Sequence, residues 1–325
     1  MRAIDRPHRG NSVVRDAQHT HPRGVRITLV LGSGGPVGHA FHCGMLHALA
    51  DELGWDPRTA SLIIGTSAGA QVAALLRAGV SASDLLARAS GRPPSEEGHH
   101  KTRWYVRPPH DPREGPSPPY RPASTQYLSH LPRHFHVGSV VAALLPDGHV
   151  SLAPQAEGFH RMFGDAWPDA PLWIPAVDLH TGERIVLGRE GAPVVDVGTA
   201  VAASGAVPGL CEPVRVAGRS MIDGGVRSQA NADLLDEVSD DLAIVSSPLA
   251  MFAPLRLSLR WTLRRRRNVL IVEPDRGLVR LMGNDPMDVT RAPAVADATY
   301  VSTLRRLREG SLPAASALRD AHRST

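Results

Sequence analysis

Two short apolar runs near the amino end constrain the fold most, because each stops at a glycine cluster and each is followed by helical periodicity. Arg26–Leu31 (RITLVL) is β-branched and apolar on both faces, the pattern of a buried parallel strand. Behind it, Gly38–Leu53 sets Phe41, Met45, Leu46, Leu49 and Leu53 at helical spacing. Ser61–Ile64 repeats the strand pattern and Ala68–Ala78 the helix. Strand, turn, helix, taken twice in succession, is the signature of a parallel α/β sheet.

Further along, strands are expected at Leu172–Asp178, Arg184–Leu187, Leu242–Ser246 and Val269–Val272, with a hairpin of Val214–Val216 and Ser220–Ile222 about Ala217-Gly218. Helices are expected near Gly138–Leu145, Gln155–Phe163 and Val195–Ala203, the last capped by Ser204-Gly205, and over Met287–Arg308. Between Gly91 and Pro132 prolines break the periodicity, and this stretch reads as an insertion, unstructured or serving as a lid. Residues 1–24 and 311–325 read as tails around one domain over 25–310.

Composition narrows the class. The chain has 325 residues, 42% apolar and 21% charged, enough for a substantial folded core. No apolar run is long enough to cross a bilayer, and the polar N-terminus lacks a secretory apolar region, so the expected address is cytoplasmic. Two cysteines, Cys43 and Cys211, are too few for a disulfide scaffold or a cysteine-built metal site. The net charge of +4 is almost all arginine and comes with only 4% aromatic residues, which disfavours nucleic-acid binding.

Three motifs carry chemistry. Gly65-Thr66-Ser67-Ala68-Gly69 is a G-x-S-x-G turn between a strand and a helix, which would push the Ser67 hydroxyl out of the sheet edge toward a helix N-terminus. Gly32-Ser33-Gly34-Gly35, with Gly38 beyond, leaves backbone amides unshielded for an anion. A dinucleotide loop would also need an acid at the end of the next strand, and Asp51 and Glu52 sit at a helix end instead. An oxyanion hole formed by the amides of Gly34 and Gly35 is therefore preferred. Met221-Ile222-Asp223-Gly224-Gly225 places an acid just after a strand; alone, it reads more readily as an Asp-Gly turn than as a site residue.

In this order, the three motifs resemble the patatin-like phospholipase family, as does Ala203-Ser204-Gly205-Ala206-Val207-Pro208 ahead of the aspartate. The resemblance implies a three-layer α/β/α fold about a central, mostly parallel sheet. It implies a serine acyl hydrolase acting on lipid esters, with Ser67 as nucleophile, Asp223 as its partner in a Ser-Asp dyad, and Gly34 and Gly35 as oxyanion donors. Gly32, Gly38, Gly65, Gly69, Gly224 and Gly225 support the motifs, with Gly38 opening the first helix. No histidine, metal or cofactor is implied, and His39, His42 and His47 read as packing or surface residues.

The chain departs from the family pattern at Ser33, at Val37, where an Arg or Lys is usual, and at Gln229 and Asn231. Alternatives are a triad esterase using His322 and a non-enzymatic lipid-binding scaffold. The basic run Leu255–Arg267 reads as a helix packed on the sheet with a solvated arginine edge, in preference to a peripheral contact with anionic membrane.

Overall fold

The computed structural model describes residues 25–106, 122–127, 136–146 and 148–312. Among these, one sheet of eight strands runs β5-β6-β3-β2-β1-β7-β8, with β4 also on β3. The strands are β1 (Ile27–Leu31), β2 (Leu62–Gly65), β3 (Leu172–Asp178), β4 (Arg184–Leu187), β5 (Val214–Val216), β6 (Arg219–Asp223), β7 (Leu242–Ser246) and β8 (Val269–Val272). β3, β2, β1, β7 and β8 are parallel, while β4, β6 and β5 add antiparallel pairs at the β3 side. The centre is thus parallel and fully buried, as the uninterrupted apolar runs require.

Strand alternation sorts the core into two layers. From β1, Ile27, Leu29 and Leu31 join the larger cluster, whereas Val30 joins the other with Ile64 and Val245. The larger layer is built by α1 (Gly35–Leu53), α2 (Ala68–Arg77) and α3 (Ala82–Ala89), with later helices described below. α4 (Glu96–Thr102), α5 (Val137–Leu144), α6 (Ala153–Phe163) and α7 (Val197–Gly205) follow in the chain, then α8 (Ala253–Leu263), α9 (Arg276–Met282) and α10 (Ala292–Arg308). Residues of α7 and α10 complete the first layer; Leu259 and Leu263 of α8, with Leu234 and Leu235, form the second. The architecture is three-layer α/β/α.

Several expected boundaries move, each for a local reason. Helix α1 opens at Gly35, not Gly38, because Pro36 suits the first turn, where no amide partner is needed. The stretch after Gly91 is not all loop. Ser95 caps α4 by accepting from Gly98 N, and the Asp84 carboxylate accepts from Ser95 N at 2.7 Å, a tertiary tie that proline content conceals. Helices α3 and α9 were not expected from the pattern, each only two turns long and capped by Ser81 and Asp275. Helix α7 starts at Val197 behind the Asp196 cap and runs through Ser204-Gly205, so that pair is its last turn and not its cap. The final helix begins at Ala292 after a short 3-10 turn over Val289–Arg291. Residues 1–24, 107–121 and 128–132 of the Pro-rich stretch, and 313–325 with His322 lie outside the described residues, whereas Leu312 of the expected tail is buried in the core.

α8 packs as the arginine-edge reading expects. Leu259 and Leu263 are buried while Leu257 and Trp261 are each 68% exposed. Arg260 is held by Glu273 at 2.8 Å.

Candidate active site

The site forms where the parallel strands end, at the carboxyl edge of the sheet. β1 runs into Gly32–Gly35, β2 into the Ser67 turn and β7 into Ser246, with Leu31 in register with both Gly65 and Ser246. On the antiparallel side, Asp223 at the end of β6 lies opposite Ala176 of β3. β2 pairs with β3 up to Ile64 opposite Trp173, so the chain leaving β2 reaches the level of residues 175 and 176. Sheet register therefore brings two distant motifs together.

Ser67 holds φ 54 and ψ −117, a strained backbone for a residue with a Cβ. Four hydrogen bonds hold the strain in place. The Ser67 amide donates to the Ser204 hydroxyl at 3.0 Å, and that hydroxyl donates onward to the Pro175 carbonyl of β3 at 2.6 Å. The Asn231 side-chain amide donates to Thr66 Oγ1 at 3.1 Å and to the Gly224 carbonyl at 3.2 Å, tying the turn to the Asp-Gly-Gly segment. A Cβ at Gly69 would strike the Leu31 carbonyl, so only glycine lets α2 start this close to β1.

The Ser67 hydroxyl lies beside the Asp223 carboxylate, near enough to favour its ionised form. Asp223 Oδ1 accepts from Gly225 N at 2.6 Å, and the Asp223 amide donates to the Ala206 carbonyl at 2.9 Å. Both Ser67 and Asp223 are buried. Burial pushes the Asp223 carboxyl up to about 6, against the opposing pull of the Ser67 hydroxyl and the Gly225 amide.

The glycine loop divides its amides. Gly32 N donates to Ser246 O at 3.0 Å and Ser33 N to Gln229 O at 2.7 Å. A serine in place of the family's first glycine is thus accommodated, because its amide faces the neighbouring loop. Gly34 N and Gly35 N, at the mouth of α1, have no protein acceptor among the described residues, the expected state of a helix N-terminus. Gly35 has φ 57 and lines the same cavity as Ser67 and Ala68. Ala68 opens α2, so its amide is a third donor at this spot, one the glycine pattern does not announce.

His42 supports the loop from behind. It is buried, with Nδ1 2.7 Å from Ser246 Oγ and Nε2 2.7 Å from Gly32 O. A carbonyl can only accept, so Nε2 carries the proton and Nδ1 accepts from the serine. Burial lowers the His42 pKa to about 4, keeping it neutral. Val37 is buried in the core, so no charge stands where the family has Arg or Lys. Cys211 lines the cavity, but burial pushes its thiol up to about 11. It is not a rival nucleophile.

Residues 162–236 match the family model described as patatin-like phospholipase. Over that stretch the chain is similar to patatin-like phospholipases. The patatin-like match takes in Ser204, Asp223, the two glycines behind it and Asn231. Ser67 and the Gly32–Gly35 loop lie outside the matched stretch, and the hydrogen bonds above join them to it. Among solved structures, VipD from Legionella pneumophila aligns at 13% identity and a TM-score of 0.41, over 89% of this chain and 67% of that one. The type III effector protein ExoU aligns at 17% and 0.36, over 87% of this chain and 53% of that one. The chain thus spans 67% and 53% of the lengths of these two proteins.

Proposed function

We propose that this protein is a serine acyl hydrolase that cleaves carboxylic esters of lipids through a Ser-Asp dyad. The observation that carries the reading is the meeting of Ser67 and Asp223 at one level of β3, beside the acceptor-less amides of Gly34 and Gly35. Ser67 attacks the ester carbonyl and Asp223 takes its proton. The carbonyl oxygen gains negative charge within reach of the Gly34, Gly35 and Ala68 amides, and collapse expels the alcohol with the proton from Asp223. Water then repeats the sequence on the acyl-enzyme, with Asp223 again accepting the proton.

An ordinary carboxylate is a weak base toward a serine hydroxyl. Raised to about 6, Asp223 is still ionised at neutral pH and a better base than an exposed aspartate. Each oxyanion donor typically contributes about 3 kcal/mol to transition-state stabilisation, so aligned amides supply most of what the base lacks. The strain at Ser67 keeps the hydroxyl in place without reorganisation at the moment of attack.

Peripheral contact with a membrane surface belongs to the same proposal. The exposed Leu257 and Trp261, with the Arg264 guanidinium 3.8 Å from the Trp261 ring centroid, form the face suited to it. Among the described residues, no helix is long and apolar enough to cross a membrane.

Labelling with a fluorophosphonate tests the nucleophile. The protein as it stands should be modified stoichiometrically and Ser67→Ala not at all; equal labelling of both would remove Ser67 from the mechanism.

A further inference from the structure

The cavity beside Ser67 is walled on one side by Tyr105. It lies between the first turns of α1 and α2: Gly35 and His39 line it from one helix, Ser67 and Gln71 from the other. In each pair the second residue stands one helical turn beyond the first. Tyr105, which follows α4, spans the two second turns. Its hydroxyl donates to Gln71 Oε1 at 3.0 Å, and its ring stacks on His39 at 6.1 Å between centroids with 19° between planes.

Tyr105 is held from behind as well. The Phe159 ring of α6 meets it edge-on at 5.7 Å, and the Arg88 guanidinium of α3 sits 5.5 Å from its centroid. A ring held on four sides is a fixed wall, with rotation resisted by aromatic, cation–π and hydrogen-bond contacts together. The remaining walls are mostly apolar, among them Leu152, Val207 and Met287.

Taking Ser67 as the nucleophile, we propose that Tyr105 closes the acyl pocket and restricts the enzyme to short acyl groups. One helical turn is about 5.4 Å, which a saturated chain of about four to six carbons fills from the carbonyl outward. A longer chain must displace the Tyr105 ring from its contacts and leave the carbonyl of the buried Gln71 side chain without its donor. Shortening the side chain extends the pocket toward Phe159, which packs edge-on against the ring. Tyr105 is a specificity determinant and does not touch the reacting atoms.

The test is a chain-length series of p-nitrophenyl esters from acetate to laurate. The wild type should peak at butyrate to hexanoate and lose at least about tenfold in kcat/KM by laurate, since a methylene that cannot be seated costs about 1–3 kcal/mol. Tyr105→Ala should move the optimum to octanoate or decanoate, whereas Tyr105→Phe, which keeps the ring, should stay with the wild type. A wild type that takes laurate as well as hexanoate overturns the proposal, as does an unchanged ranking in a folded Tyr105→Ala. Should that variant not fold, the wild-type ranking still decides.

Thermal shift with free hexanoate and decanoate on Ser67→Ala separates this proposal from the catalytic one. Hexanoate should stabilise that protein, and decanoate should do so only once Tyr105→Ala is added. The pocket is then right even if no ester is turned over. Equal stabilisation by both acids with Tyr105 in place refutes it, whatever the activity.

Discussion

Asp223 shows a conflict between stability and chemistry at a single residue. Its carboxyl is raised from the ordinary aspartate value to about 6 by burial, so the folded state holds its proton more tightly than the unfolded chain does. The stability it contributes is therefore present at low pH and lost as pH rises from about 4 through 6, a loss of up to about 3 kcal/mol. Asp223→Asn should melt above the wild type at pH 8, with the difference vanishing near pH 4. Its turnover should fall by about a thousandfold or more, since the base is gone. The wild-type kcat/KM profile should rise with pH on an acid limb near 6; an acid limb near 4 would mean that Asp223 is more solvated than its burial implies. The same carboxylate reads in sequence as an ordinary Asp-Gly turn, because burial is set by Ala206 and Ser67, which come from elsewhere in the chain.

At the scale of elements, each helix reflects how much of its surface the fold covers. α1 is buried on nearly every side because α10 lies across it. A Cβ at Gly44 would strike the Ala296 carbonyl, so the two helices approach to backbone contact. α8 is the opposite case, with Leu259 and Leu263 on the sheet and Leu257 and Trp261 turned to solvent. If that outer face meets lipid, vesicles containing phosphatidylglycerol should sediment the protein. Leu257→Ser with Trp261→Ser should release it by about tenfold or more in affinity while leaving hydrolysis of soluble esters intact. Unchanged sedimentation of the double variant would assign binding to another surface. Strands and long helices were legible from periodicity, often to the residue, as at Leu172–Asp178 and Leu242–Ser246. α3, α4 and α9 were not, because two-turn helices carry too few apolar positions to show a period and depend on caps and neighbours.

Across the whole molecule, His42 links the layers at the level of the site. From within α1 it grips Gly32 after β1 and Ser246 at the end of β7. Its pKa is lowered to about 4, so the folded state resists protonation that the unfolded chain accepts near 6.5. The stability it supplies is complete above that value and is lost as pH falls toward 4, by up to about 3 kcal/mol. Urea unfolding of the wild type should weaken over this range. His42→Gln, which can keep a donor toward Gly32 and cannot gain a proton, should show a flatter acid limb and lower stability at pH 7. Parallel acid limbs for the two proteins would show that other groups govern the acid response.

The residues alone determined the α/β layering, the turn at Ser67, the glycine loop and the order of the three motifs, because buried strands, helix starts and tight turns each need particular residue types within a few positions. Tertiary structure decided that Asp223 stands level with Ser67, that Ser204 and Asn231 brace the turn, and that Tyr105 lines the cavity. Those relations depend on strand register and on helices crossing from remote parts of the chain. Distances of that kind have no periodicity to read, since they are set by how the layers pack and not by any local run of residues.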